Sequence, residues 1–288
     1  MKKRVLLTGV TGFIGRHLVR RMLDAGWEVA AIVRPSSERT VLEREVRERV
    51  EFHVYEGGTL VDIVREAKPA VVCHLASLYL AAHESKDVAA LVASNILFGT
   101  ELLEAMAKNE VRRFVHAGTS WQHYRGAHYS PVNLYAATKE AFEMMMRYYE
   151  ETAGLHAVTL KLFDTYGEGD TRRKILALLQ EAAATGEELA LSPGGQKIDL
   201  VHVDDVADAF LLAAEYLAAD CADIRGEYAV SAGKALTLRE IAARVEELLG
   251  KKIPVRWGAR PYREREVMEP WRTGRLLPGW QRRHTEIM

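Results

Sequence analysis

Three glycines at three-residue spacing, Gly9, Gly12 and Gly15, separate an apolar run at 4–8 from a segment with helical periodicity at 12–25. A strand passing directly into a helix through glycines suits a phosphate cradle. The first glycine permits a tight turn, the second lets backbone approach a phosphate, and the third lets the helix pack close to the sheet. The helix N-terminus adds free N–H groups and partial positive charge. The pattern continues downstream: apolar runs at 28–33, 51–55, 70–75, 113–117 and 157–162 alternate with helical patterns at 60–67, 87–108 and 134–152. Such alternation implies an α/β fold with a parallel sheet covered on both faces. Right-handed crossovers make it doubly wound, with ligands at the carboxyl ends of the strands.

After residue 163 the rhythm loosens. Gly-rich stretches at 167–170 and 192–195 read as loops. A strand is expected at 199–203, then a helix to 219 with Asp204 or Asp205 as N-cap, and a helix at 238–249. The expected division is a dinucleotide-binding domain of 1–163 plus 197–225 and a small C-terminal substrate lobe of 164–196 plus 226–288. Apolar residues make up 48% and charged residues 27% of the chain, as in ordinary globular proteins. A net charge of −1 gives no support for a nucleic-acid partner. The two cysteines, Cys73 and Cys221, fit a reducing cytoplasm better than a disulfide framework. The apolar run at 5–10 is broken by glycines, unlike a signal peptide, and no apolar stretch is expected to reach the ~20 residues that span a bilayer.

Tyr135 and Lys139 are four residues apart and share a face if the segment is helical. A free phenol titrates near ~10; an ammonium beside it favours the phenolate, making Tyr135 a usable proton donor or acceptor. Thr119, following the run at 113–117, is placed to hold a substrate carbonyl, with Ser120 as its rival. Lys139 is expected to lower the Tyr135 pKa and to bond the nicotinamide ribose. The run at 28–33 ends in Arg34 rather than an acid, with Ser36, Ser37 and Arg39 following. A guanidinium matches a 2′-phosphate, so NADP(H) is expected over NAD(H), unless Glu38 faces the ribose. His116, His123 and His128 lack metal-ligand spacing, so no metal is expected. No Gly-x-Ser-x-Gly elbow is present, which disfavours a serine hydrolase.

These residues together resemble the extended short-chain dehydrogenase/reductase family, a Rossmann fold with a substrate lobe. The likeness runs nearly end to end: Thr8-Gly-x-x-Gly12-x-x-Gly15, Leu75-Ala-Ser77, Asn95-x-x-Gly-Thr-x-x-Leu-Leu-Glu-Ala105, the Thr119, Tyr135, Lys139 set, Leu160-Lys-Leu-Phe-Asp-x-Tyr-Gly167, Val201-His-Val-Asp-Asp-Val-Ala207 and Leu277-Pro-Gly-Trp280. It implies cofactor contacts from Gly9, Thr11, Gly12, Phe13, Ile14, Gly15, Arg34, Ser36, Leu75, Ala76, Ser77, Tyr135, Lys139 and Phe163. It implies substrate contacts from Trp121, Asp164 and Arg263, the last gripping a diphosphate. Asp164 stands where many relatives have Asn, and a carboxylate there needs an intervening cation. Ser120-Trp121 replaces the Asp-Glu of the sugar-nucleotide dehydratases. Within the family the chain is most similar to bacterial reductases of nucleotide-linked 4-keto-deoxysugars, of the CDP-abequose and paratose synthase type. The resemblance thus implies NADPH-dependent 4-ketoreduction, with Tyr135 as proton donor, in a homodimer formed through 87–108 and 134–152. Alternatives are a nucleotide-sugar epimerase, a reductase of a non-sugar ketone, and a non-catalytic cofactor-binding sensor.

Overall fold

Val5 and Leu7 enter one hydrophobic core and Leu6 enters another, so the first strand is apolar on both faces. That two-sided burial is what a covered parallel sheet demands. The computed structural model describes residues 3–220 and 224–285; Cys221 lies outside them. The strands are β1 (Arg4–Thr8), β2 (Glu28–Val33), β3 (Val50–Val54), β4 (Val71–His74), β5 (Arg113–Thr119), β6 (His156–Leu162), β7 (Asp164–Tyr166), β8 (Leu189–Ala190), β9 (Lys197–His202), β10 (Gly226–Val230), β11 (Ala235–Thr237) and β12 (Val255–Arg256). Seven form one parallel sheet in the order β10-β6-β5-β4-β1-β2-β3. The chain reverses direction across this sheet between β1 and β4, which opens a crevice there. The doubly wound α/β sheet is as expected.

Helices α1 (Phe13–Asp24), α2 (Arg44–Glu48), α3 (Leu60–Ala67), α4 (Val88–Val92), α5 (Phe98–Lys108), α6 (Leu134–Ala153), α7 (Ile175–Thr185), α8 (Val203–Ala218) and α9 (Leu238–Leu249) complete the chain. One face of the large sheet carries Leu18, Met22 and Phe210 from α1 and α8; the other carries Leu60, Leu102, Met106 and Phe142 from α3, α5 and α6. A smaller lobe has its own core, in which Leu179 of α7 meets Ile241 and Val245 of α9. Thr237 and Glu240 cap α9 reciprocally, and Gly250 closes it in the left-handed conformation.

Five expectations change. Gly226–Val230 pairs in parallel with β6, so it extends the large sheet rather than the lobe; its inner residues Tyr228, Ala229 and Val230 are apolar and buried. Conversely, β9 pairs with β7 and β11 in the lobe's three-stranded sheet. The tail also returns to the large domain, where Leu277 and Trp280 enter its core. The N-cap of α8 is His202, whose ring accepts a hydrogen bond from the Asp204 N–H at 3.2 Å; Asp204 and Asp205 sit in the first turn. Finally, Ser85–Lys108 is long and apolar enough to cross a membrane by length and composition alone. Here its inner face, Leu102, Leu103, Ala105 and Met106, is a wall of the second core.

Asp205, fully buried, anchors the tail. Its carboxylate accepts from the Arg283 N–H at 3.0 Å and the His284 N–H at 3.1 Å, and meets the His284 ring at 3.0 Å. Asp205→Ala leaves these donors without their acceptor. Denaturant unfolding is expected to show a loss of about 2–4 kcal/mol, with faster proteolysis after Trp280.

Candidate active site

Gly9 has φ +75°, and a Cβ there would stand 2.7 Å from the Ala76 nitrogen. A Cβ on Gly15 would stand 2.0 Å from the Gly9 carbonyl oxygen. Both positions therefore exclude any side chain, and the turn folds tightly enough for the Gly12 N–H to donate to the Gly9 oxygen at 3.0 Å. Gly12 is the N-cap of α1 and has no side chain to bond the first turn, so the N–H groups at Phe13 and Ile14 lie at an uncapped helix start. This is a cradle that a pyrophosphate fits. The Thr8 hydroxyl holds the neighbouring loop, accepting from the Ala76 N–H at 3.1 Å and bonding the His74 ring at 2.8 Å. Leu75, Ala76 and Ser77 thus line the crevice beside the glycines. Arg34 and Ser36 are exposed just beyond β2, and the Ser37 hydroxyl accepts from the Arg34 N–H at 3.0 Å. Among the described residues the Arg34 guanidinium has no ion pair, whereas Glu38 accepts from the Thr40 hydroxyl at 2.8 Å.

Thr119 ends β5 and caps the turn that follows. Its hydroxyl accepts from the Trp121 N–H at 3.3 Å, and its own N–H donates to the Gln122 side chain at 3.0 Å. Tyr135 lies in the first turn of α6, which Asn133 caps by accepting from the Ala136 N–H at 3.0 Å. Lys139, one turn on, is buried. The expectation that Lys139 lowers the Tyr135 pKa is replaced by a different balance. Burial pushes the phenol up to about 12, and the main opposing pulls are a hydrogen bond with Ser77 and the Arg172 charge. Burial likewise pulls Lys139 down to about 8, against the attraction of Glu143. The resulting phenol is protonated at neutral pH and the amine is still cationic, a pairing suited to proton donation.

A residue without an assigned role in the sequence reading ties these parts together. Asn95 sits in a π-helical stretch, Ala93–Leu97, between α4 and α5. Its side-chain oxygen accepts from the Ser77 hydroxyl (3.1 Å) and the Leu78 N–H (2.7 Å). Its amide nitrogen donates to the Leu78 oxygen (3.0 Å) and the Thr138 hydroxyl (2.9 Å). Such single-turn bulges re-aim side chains at functional sites.

A cavity of about 1160 Å³ lies between the sheet edge and the lobe, lined by Ser120, Trp121 and Phe163, by Asp164, and by the cations Arg172 and Arg263. Tyr79, also at its wall, meets Tyr135 edge-on at 5.0 Å and Trp121 at 5.9 Å. The cation needed at Asp164 is present: the Lys174 ammonium lies 3.2 Å from its carboxylate. Phe163 is buried and stacks on Trp271, which in turn stacks on His123 at 3.9 Å. His116 stacks with His74, ring centroids 5.7 Å apart. The ring of Phe13 faces the lobe, with the Arg172 guanidinium 4.3 Å above it, while Arg16 donates to the Gly169 oxygen. Sequence spacing gave no sign of this strap.

The chain matches the model of the NAD dependent epimerase/dehydratase family over residues 5–224. It belongs to that family. It is accordingly an NAD(P)-dependent enzyme of the extended short-chain dehydrogenase/reductase type. Among curated proteins it is similar to the CDP-abequose synthase of Salmonella muenchen, at 26% identity over 93% of this chain and 88% of the relative. The corresponding figures for the CDP-abequose synthase of Yersinia pseudotuberculosis are 27%, 93% and 91%. Among solved structures it is similar to the Thermus thermophilus UDP-glucose 4-epimerase complex with NAD: TM-score 0.79, 28% identity, 97% of this chain and 94% of that one.

Gly15→Ala drives a methyl into the Gly9 carbonyl. Fluorescence titration is expected to show dinucleotide affinity reduced at least about tenfold, a cost of ~1.4 kcal/mol, with the melting temperature also lowered.

Proposed function

We propose that this protein reduces the 4-keto group of a nucleotide-activated deoxysugar, using NADPH. One observation carries the reading: a half-buried, protonated Tyr135 packed against Tyr79 in the wall of a cation-lined cavity, opposite a lobe that supplies Arg172, Lys174 and Arg263. Similarity to CDP-abequose synthases over 93% of the chain supports a nucleotide sugar as substrate. Arg263 has no ion pair among the described residues, which leaves its guanidinium for a diphosphate. Residues 9–15 would hold the cofactor's pyrophosphate, and Arg34 its 2′-phosphate. When bound, the nicotinamide supplies the hydride. Thr119 orients the carbonyl, Tyr135 gives its phenolic proton to the oxygen, and the Arg172 charge and the hydrogen bond with Ser77 stabilise the phenolate left behind. With Ser120-Trp121 after Thr119, no acid stands there to drive elimination of water.

Epimerisation is the second reading, favoured by the likeness to the Thermus UDP-glucose 4-epimerase bound to NAD. The two differ in net cofactor use: the reductase consumes NADPH, whereas the epimerase keeps its NAD. Exposed Val92 and Leu97 on α4 and the π stretch, with Met144, Met145 and Tyr148 on α6, support a homodimer through that face.

A panel of nucleotide-linked 4-keto sugars should drive oxidation of NADPH; absence of oxidation with every member overturns the reading. Tyr135→Phe is expected to lower kcat by ~10²–10⁴-fold with dinucleotide binding retained. Arg34→Ala removes a charge-assisted contact of about 1.5–3 kcal/mol, and the NADPH-to-NADH ratio of kcat/KM should fall by the corresponding ~10–100-fold.

A further inference from the structure

Beneath Thr119 runs a buried polar chain that the reaction above does not use. Gln122, fully buried, accepts from the Thr119 N–H and donates to Glu140 at 2.5 Å and Glu143 at 3.1 Å. Glu143 pairs with the Lys161 ammonium at 2.7 Å, and Lys161, whose side chain is entirely buried, reaches Glu227 at 3.3 Å. Gly118 makes room for this crossing: a Cβ there would stand 3.0 Å from the Lys161 side chain and 3.1 Å from Glu143. Glu143 is also one helical turn beyond Lys139 on α6, so a single carboxylate serves two lysines and, through Gln122, the Thr119 backbone. A buried ion pair is weak evidence for stability as such, since desolvation offsets its attraction.

We propose that Glu143 is a positioning residue for the ketoreduction: through Gln122 it fixes Thr119, and from one turn beyond on α6 it acts on Lys139. This rests on the reductase reading. The groups facing Lys139 are Tyr135 and Glu143 on its own helix, His74 on β4, His116 on β5 and Lys161 on β6. Burial holds both histidines far below neutrality, so they carry no charge when Lys139 titrates. Of the rest, Glu143 favours the ammonium and Lys161 opposes it. Burial pushes the Glu143 carboxyl above the usual carboxylate range; the Lys161 ammonium and the Gln122 amide pull it back, and Glu140 adds to the rise.

The sign follows. Removing the Glu143 charge lowers the Lys139 pKa, so the alkaline limb of kcat against pH moves to lower pH. In Glu143→Gln this limb is expected to fall by at least about half a unit, a threefold change in the protonation equilibrium. The midpoint for acetic-anhydride labelling of Lys139, read by mass spectrometry in protein without substrate, should fall with it. Glu143→Asp keeps the charge and should keep both midpoints. Gln122→Met leaves every charge in place; it should lower kcat at least about tenfold with the alkaline limb unmoved. Wild-type midpoints in Glu143→Gln overturn the proposal. Should that variant not fold, wild-type kcat in Gln122→Met overturns it instead. A wild-type protein that reduces no 4-keto sugar removes the reductase reading, while the labelling midpoint still tests Glu143.

Discussion

The side-chain amide of Asn95 makes four hydrogen bonds that join three segments: the loop after β4, its own helical stretch and the start of α6. Each is worth about 1 kcal/mol net, but leaving a buried partner unmade costs more, so the set behaves as one joint. It fixes Ser77 against the Tyr135 phenol and Thr138 beneath it. The π-helical stretch is the local cost of aiming that amide inward. With this joint in place, the loop after β4 and the start of α6 that carries Tyr135 are tied to one side chain.

Electrostatics at the site follow from burial more than from pairing. Tyr135, Lys139, His74 and His116 all move toward their neutral forms. For a proton donor this is the useful direction: a neutral phenol holds its proton until an alkoxide forms. The pulls that favour the phenolate are the Arg172 charge and a hydrogen bond with Ser77.

What was legible in the sequence was local. Glycine spacing at 9–15 located the cradle because sterics at Gly9 and Gly15 admit nothing else, and strand positions followed from two-sided burial. The Tyr135–Lys139 spacing pointed to a helix, and both residues lie one turn apart on α6. What was not legible was long-range. Nothing near Arg172 announces that it lies on Phe13, and nothing near Glu143 on α6 announces Lys161, eighteen residues away on β6. The Gly226–Val230 strand looked like lobe because it opens the final stretch, 226–288, that was read as lobe throughout; only pairing with β6 assigns it. His202 displaced two aspartates as helix cap because a ring nitrogen at the preceding residue reaches the Asp204 N–H first.

The strap over Phe13 has a consequence for the order of events. Arg16 and His17 on the cradle helix both engage backbone oxygens of the 168–169 loop, and Arg172 of the same loop covers Phe13 while lining the sugar cavity. The two ligand sites therefore share one wall. Whatever free energy one ligand loses or gains in shifting that wall appears, by reciprocity, in the affinity of the other. Cofactor and sugar are in this sense heterotropic ligands of one another, coupled through a single loop.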